Sequence, residues 1–161
     1  MRNVRPVRCG ARLSGSTWQD GSLWFSWTAP RSAAGENPNY PQPYTRVVRI
    51  DTSTWKTASE LQVGNPDYVF AYSSLSLNSN SEVGIAVAWG GPRDEADTAY
   101  GILGDFVVWY QDGSTATEVR WGDFLRTHRS QVTPAHFDGF GYFTTTGGSI
   151  TQNPYHVRYG R

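Results

Sequence analysis

Short runs of β-branched and aromatic residues, each ended by turn-forming residues, most constrain how this chain folds. The clearest run, Val83–Trp89, lies between the turn residues Asn78–Ser81 and Gly90–Pro92. Another run, Leu23–Trp27, follows an Asp-Gly pair, which favours a tight hairpin because such turns require positive φ. The chain has only 7 leucines and 1 methionine beside 17 glycines and 9 prolines, so helices are disfavoured and an all-β fold is predicted.

Three of these runs can be aligned with one another, which indicates a repeat. Leu23–Thr28, Val83–Ala88 and Phe137–Tyr142 start 60 and then 54 residues apart, and each is preceded by turn residues and followed by another β run. Repeats of this kind are typical of β-propeller blades. We therefore predict one domain that forms part of a β-propeller ring, with three four-stranded antiparallel blades at about 10–66, 67–117 and 118–161. A β-sandwich of about nine strands is the alternative that the pattern leaves open.

Three blades are too few to close a propeller, since a ring needs about four or more. Either further blades lie outside this chain, or several copies of the chain build one ring. The basic segment Arg2–Arg8 reads as a strand or linker that enters a fold already under way, and it lacks the apolar core of a secretory signal. We therefore expect a fragment of a longer protein. Its location is extracellular or at the cell surface if the parent is secreted, and otherwise unknown.

Charge, hydropathy and motifs exclude several functional classes. The net charge is 0, with 14 basic and 14 acidic residues, and Asp123 dilutes the basic patch 120–129, so no nucleic-acid partner is expected. No run approaches the ~18 apolar residues that a membrane span needs. Cys9 is the only cysteine, and zinc and phosphate-loop motifs are absent, so we expect no intrachain disulfide, no metal and no cofactor.

Two stretches of the chain resemble bacterial sialidase-like propellers, the group with Asp-box repeats. The first is Phe70–Asn78 together with Glu82–Ile85. The second runs from Arg120–Leu125 through Tyr142 to Tyr159–Arg161. The resemblance implies that these are closing blades of such a ring and that the domain contacts glycans.

The Asp-box of that family is incomplete in this chain. Its pattern is Ser-x-Asp-x-Gly-x-x-Trp, and Gly21 and Trp24 keep the second half, but Asp20 directly precedes the glycine. What survives is the prediction of a hairpin turn held by side-chain hydrogen bonds. For a hydrolase, the resemblance implies an arginine cluster for a substrate carboxylate and an activated tyrosine with a carboxylate partner. No residue falls in a motif that assigns it to such a position, so the catalytic residues stay unknown.

Trp121 and Asp123 are the first candidates for a ligand site. They lie on the same face of a predicted strand, and Gly122 between them lets a ligand approach the backbone. A tryptophan beside a carboxylate suits a sugar, because the ring stacks on the sugar and the carboxylate binds its hydroxyls. The plainer interpretation is a packed tryptophan with Asp123 capping a neighbouring turn. The further candidates are Arg120, Arg129, Tyr142 and Arg158. For the arginines the plainer interpretation is a pairing with nearby acids.

Three functions remain open. The one we favour is a glycan-interacting propeller portion that is not catalytic on its own, with a glycan and either further blades or further copies of the chain as partners. The second is a fragment of a sialidase-type exo-glycosidase that needs the missing blades. The third is a non-catalytic scaffold for protein interactions, which predicts no concave aromatic site.

We predict that Trp121→Ala abolishes glycan binding, because the indole ring supplies the stacking surface. A glycan array probed with the wild-type and variant chains measures this. Unchanged binding would show that Trp121 does not contact the ligand. Turnover of a fluorogenic sialoside by a longer parent would favour the hydrolase.

Overall fold

The structure, a computed structural model, describes residues 13–30, 40–91, 96–105, 108–110, 124–146 and 150–161. Every regular element in these ranges is a β-strand, which confirms the all-β prediction. In chain order they are β1 (Leu13–Gln19), β2 (Ser22–Ala29), β3 (Tyr44–Asp51), β4 (Lys56–Val63), β5 (Val69–Leu77), β6 (Val83–Gly90), β7 (Asp97–Ile102), β8 (Val108–Tyr110), β9 (Arg126–Arg129), β10 (His136–Thr146) and β11 (Ile150–Gly160).

The strands form three antiparallel sheets, which we call the first, second and third sheets. The first contains β1 to β4 and the second β5 to β8, both in chain order, while the third contains β9 to β11 with β10 in the middle. The segments aligned in the sequence lie in β2, β6 and β10, so each belongs to the second strand of its sheet. The described part of the third sheet has three strands where four were predicted, and the described residues do not form a closed ring.

Two strands differ most from the sequence prediction. The pattern did not indicate β1, because glycine, serine and threonine dominate it. The predicted strand that carries Trp121 and Asp123 lies outside the described residues up to residue 123, and Phe124 and Leu125 precede β9 without forming a strand. Within the described residues, the third sheet begins at Arg126.

The predicted hairpin turn before β2 is confirmed. Asp20 and Gly21 have φ values of 51° and 71°, and they connect the paired residues Gln19 and Ser22. Positive φ at both central residues is the property that makes Asp-Gly suitable for a two-residue hairpin. The carbonyl of Gly21 also accepts hydrogen bonds from the backbone nitrogen and the hydroxyl of Thr52, at 2.9 and 3.0 Å, which joins this turn to the β3–β4 turn.

The second sheet lies between the other two. Strand β5 contacts β1, β2 and β3 of the first sheet, and it also contacts β9 of the third sheet. Likewise, β7 contacts β10 and β11. All of Val83–Ala88 in β6 is buried, since both faces of this strand are covered. This two-sided burial explains why β6 is an uninterrupted apolar run in the sequence.

An apolar core fills the space between the first and second sheets. Val47 of β3 is fully buried there, and Trp24 of β2 packs against the same cluster. Leu75 of β5 and Ile85 and Val87 of β6 contribute from the second sheet. Removing these side chains from water is the main favourable contribution to the packing of the two sheets.

Hydroxyl groups cross the same interface beside the apolar core. Ser73 Oγ donates to Ser26 Oγ over 2.8 Å, and Ser14 Oγ lies 3.0 Å from Ser73 Oγ. Thr45 Oγ1 donates to the carbonyl of Phe70 over 3.2 Å. Because Ser26, Ser73 and Thr45 are buried, these pairings avoid the cost of unsatisfied polar groups, and they align the first sheet with β5.

Aromatic rings and glycines fill the space between the second and third sheets. The ring of Tyr100 on β7 is buried against the backbone of Gly139 and Gly141 on β10. Its centroid lies 6.1 Å from that of Tyr155 and 5.7 Å from that of Tyr159. Burial raises the pKa of all three tyrosines above the ordinary value, so they are neutral packing groups at physiological pH.

We predict that Gly139→Ala lowers the free energy of unfolding by about 1–3 kcal/mol, because overpacking forces buried groups to shift. The added Cβ would lie 2.4 Å from Cε1 of Tyr100 and 3.0 Å from Cγ1 of Val157. Urea unfolding of both chains measures the change. Ala58→Val, at an exposed position of β4, is the matched control and is expected to change stability by less than about 0.5 kcal/mol. Equal effects of the two substitutions would contradict the close packing at Gly139.

Candidate functional site

A groove runs where the first strands of the three sheets meet. Strand β5 contacts both β1 and β9, and each of these strands is at the edge of its sheet. The groove, which we call the edge-strand groove, has a volume of about 630 Å³. Its polar and aromatic lining consists of Ser14, Ser16, Ser74, Ser76, Phe124, Arg126, Thr127 and His128.

Two serines of β5 attach the third sheet to one wall of the groove. Ser74 Oγ accepts a hydrogen bond from the backbone nitrogen of Thr127 over 3.2 Å. Ser76 Oγ accepts one from the backbone nitrogen of Arg129 over 2.9 Å. Each serine side chain thus bridges two sheets as an acceptor, and a hydroxyl used in this way still has an O–H group to donate. The groove wall is therefore held in place and remains able to hydrogen-bond.

The β9 end of the groove carries an exposed aromatic ring. The side chain of Phe124 is 93% exposed, and its φ is 72°. Positive φ is uncommon for a bulky residue and costs about 1–2 kcal/mol, because the Cβ approaches the following carbonyl. Arg126 and His128 on β9 are also exposed. The groove therefore combines a ring presented to solvent, two basic side chains and several hydroxyls.

The residues predicted from the sequence are only partly covered by the structure. Arg120, Trp121 and Asp123 lie outside the described residues. Arg129 on β9 is the cross-strand neighbour of the buried Phe137. Arg158 on β11 is the cross-strand neighbour of Asp138, which follows Phe137 and therefore lies on the opposite face of the sheet. Tyr142 lies further along β10. The third sheet therefore holds these three side chains apart, and their role in binding stays a prediction.

The groove residues Phe124, Ser74 and Ser76 were not among the candidates predicted from the sequence. A signal for the serines was present, because residues 74–77 alternate serine with leucine, as expected for a strand with one polar and one apolar face. No such signal exists for Phe124, since an exposed phenylalanine in a turn is visible only when its surroundings are known.

The outer face of the third sheet, which points away from the second sheet, carries a second polar cluster. Asp138 Oδ1 accepts from Arg158 Nε over 2.8 Å and lies 3.0 Å from His156 Nε2. Burial alone raises the pKa of Asp138, but hydrogen bonds from Arg158, Ser130 and His156 outweigh it and hold the pKa at about 2. Asp138 is therefore an anion that fixes Arg158, so this arginine is already paired.

The described part of the chain contains neither a candidate membrane-spanning helix nor a cluster of metal-binding side chains. No helix there is long and apolar enough to cross a membrane. Nor do three or more histidine, cysteine, aspartate or glutamate side chains cluster there in a way that suits a metal ion. Polar and aromatic contacts are thus the chemistry that the described residues of the groove offer to a ligand.

We predict that Asp138→Asn lowers the free energy of unfolding by about 1 kcal/mol at pH 7, after allowing for solvent screening of its partners. The folded-state pKa lies below the ordinary value of 3.8, so this contribution is present above pH 3.8 and is lost as the pH falls toward about 2. Urea unfolding at pH 7 and near pH 2 measures the difference between the chains. Arg158→Gln is expected to show the same pH trend, and a difference that does not change with pH would contradict the ion pair.

Comparison with known proteins supplies no relative for this chain. No family model, no curated protein and no solved structure matches it. The resemblance to sialidase-like propellers therefore stays a prediction that depends on the residues quoted for it.

Proposed function

We propose that the chain is a portion of a β-propeller and that its edge-strand groove binds glycans without catalysis. One observation carries this proposal: an exposed phenylalanine, Phe124, stands at positive φ beside a concave groove lined with hydroxyl groups. Strained backbone at an exposed aromatic residue is a reason to look for a function, because strain of this kind concentrates at ligand sites.

The arrangement of the sheets supports the propeller part of the proposal. Each aligned sequence segment lies in the second strand of an antiparallel sheet. The sheets are stacked in chain order, and their first strands β1, β5 and β9 run side by side. In a propeller the corresponding strand of every blade lines the central channel, so the groove corresponds to a segment of that channel.

The chemistry of the groove suits a sugar. An aromatic ring stacks on the apolar face of a pyranose, while serine and threonine hydroxyls both donate to and accept from its hydroxyl groups. Arg126 and His128 line the groove, and none of its described lining residues is a carboxylate. Because arginine binds carboxylates through two parallel hydrogen bonds, glycans that carry a carboxylate are the favoured ligands.

Binding is favoured over the other two functions for separate reasons. A glycosidase needs a nucleophile and an acid around the scissile bond, generally two carboxyl groups. The described lining residues of the groove include no aspartate, glutamate or tyrosine, so they do not support hydrolysis by this part of the chain. A protein-interaction scaffold predicts no concave aromatic site, whereas Phe124 lies at the edge of one.

We predict that Phe124→Ala weakens glycan binding about fivefold, because an aromatic stacking contact contributes about 1 kcal/mol. Arg126→Gln is expected to weaken binding of carboxylate-bearing glycans and to leave neutral ones unaffected. A glycan array identifies the ligand, and titration calorimetry with that ligand gives the affinities.

Trp55→Ala is the matched control for Phe124→Ala. Trp55 is also an exposed aromatic residue at positive φ, with 73% of its surface exposed and a φ of 55°, but it lies in the β3–β4 turn and does not line the groove. Unchanged affinity in this variant is expected. Equal losses in both variants, or no glycan bound by the wild-type chain, would overturn the proposal.

A further inference from the structure

The first sheet has an apolar outer face that nothing in the described structure covers. The side chains of a strand alternate between its two faces, which identifies the residues of this outer face. Ser26 and Val47 point toward the second sheet, so their neighbours along the strands point away from it. The large apolar side chains of this face are Trp18, Leu23, Phe25, Trp27, Val48 and Ile50. We call this surface the apolar face.

The apolar face is partly open to water, since Leu23, Phe25, Trp27, Val48 and Ile50 are half-buried and one member is exposed. Trp18 is 65% exposed, as is Leu13, which is paired with Trp27 at the margin of the face. The guanidinium of Arg46 lies 5.7 Å from the Trp27 ring centroid, and Arg46 is paired with Glu60, so the charges beside the face are already balanced. Contiguous apolar surface of this kind marks an interaction site.

The outer face of the third sheet stands at the other end of the stack and is also open. Phe140 on this face is 41% exposed. Its ring centroid lies 5.3 Å from that of His128 and 4.9 Å from that of His156. Beside Phe140, Asp138 accepts a hydrogen bond from Arg158. This outer face therefore presents aromatic rings and an ion pair without net charge to a partner. In the described part of the chain, the stack of three sheets thus has one open face at each end.

We propose that two copies of this chain associate head to tail, with the apolar face of each copy packed on the outer face of the third sheet of the other. The resulting assembly is a closed ring of six sheets. This inference rests on the proposed propeller arrangement, and it names a second copy of the chain as the partner that completes the ring.

The way in which the sheets pack inside the chain supports a second copy as the partner. Both internal interfaces stack one sheet on the next with first strands together, β1 beside β5 and β5 beside β9. A second copy that continues this order brings its own β1 next to β9. Two copies supply six sheets, a number within the range of about 4–8 blades that propellers have. Contacts between two different faces form a closed ring when the rotation from one copy to the next returns to the starting copy.

Charge and site geometry agree with self-association. The chain has a net charge of 0, so two copies do not repel each other. In the ring, the first strands of both copies surround one axis. The edge-strand groove of each copy is then completed by the other copy, which links the assembly to ligand binding.

The oligomeric state of the whole chain tests the proposal. Light scattering after size-exclusion chromatography is expected to give twice the mass of one chain. Trp18→Glu on the apolar face and Phe140→Glu on the third sheet are each expected to weaken the dimer at least tenfold. Both side chains are exposed, so the variants are expected to fold, and circular dichroism of each variant tests this. Trp55→Glu, an exposed aromatic position on neither face, is the control and is expected to stay dimeric.

A mixing experiment distinguishes head-to-tail contact from contact between identical faces. When the Trp18→Glu and Phe140→Glu chains are mixed, one interface between two unaltered faces remains possible, so a mixed dimer is expected. A monomeric wild-type chain would overturn the proposal. So would dissociation by Trp18→Glu without any effect of Phe140→Glu, which indicates that two apolar faces meet.

Ligand binding is measured separately, so the two proposals can fail independently. A monomer that binds glycans through Phe124 overturns the ring alone. A dimer that binds no glycan supports the ring and overturns the proposed function.

Discussion

The burial of the second sheet on both faces is the constraint on which the rest of this structure depends. Strand β6 contributes apolar side chains to one interface and small residues to the other, where Gly84 lies under the ring of Phe137. The hydrophobic effect drives both interfaces, but the two differ in kind. Aliphatic side chains fill the first, whereas tyrosine rings set against glycines fill the second. The first and third sheets are positioned because each covers one face of this central layer.

Hydroxyl and amide groups determine the register of the three layers. Tyr155 donates its hydroxyl to the carbonyl of Thr98 over 2.9 Å, which ties β11 to β7. Asn78, which is fully buried, accepts from two backbone nitrogens in its own turn and donates to Glu82 and to the carbonyl of Ala135. Contacts of this kind are directional, unlike apolar packing, so they select one alignment of the sheets. The edge-strand groove follows from that alignment, since it exists only where three edge strands come together.

Much of the fold could be predicted because local chemistry and global packing agree in the central strands. Asp20 and Gly21 require a hairpin turn, and the run in β6 requires burial on both faces, whatever the remainder of the chain does. The edge strands gave weaker signals. β1 and β9 are short and polar, and they are strands because β2 and β10 pair with their backbones and β5 of the second sheet packs against both. The partners of the candidate residues could not be predicted for the same reason. Arg158 is an example, since its partner Asp138 lies 20 positions away in the chain.

By itself, the sequence determined the class of fold, the position of the hairpin turn before β2 and the strands that repeat along the chain. These features depend on φ preferences and on side-chain periodicity, which act over a few residues. Only the tertiary structure decided which faces are covered, which serines line a groove and where an aromatic ring stays exposed. Phe124 and Trp18 read as ordinary apolar residues in the sequence, yet both are largely exposed to water. The reason is physical: burial depends on the layer that lies above a residue, and residues far away in the chain supply that layer.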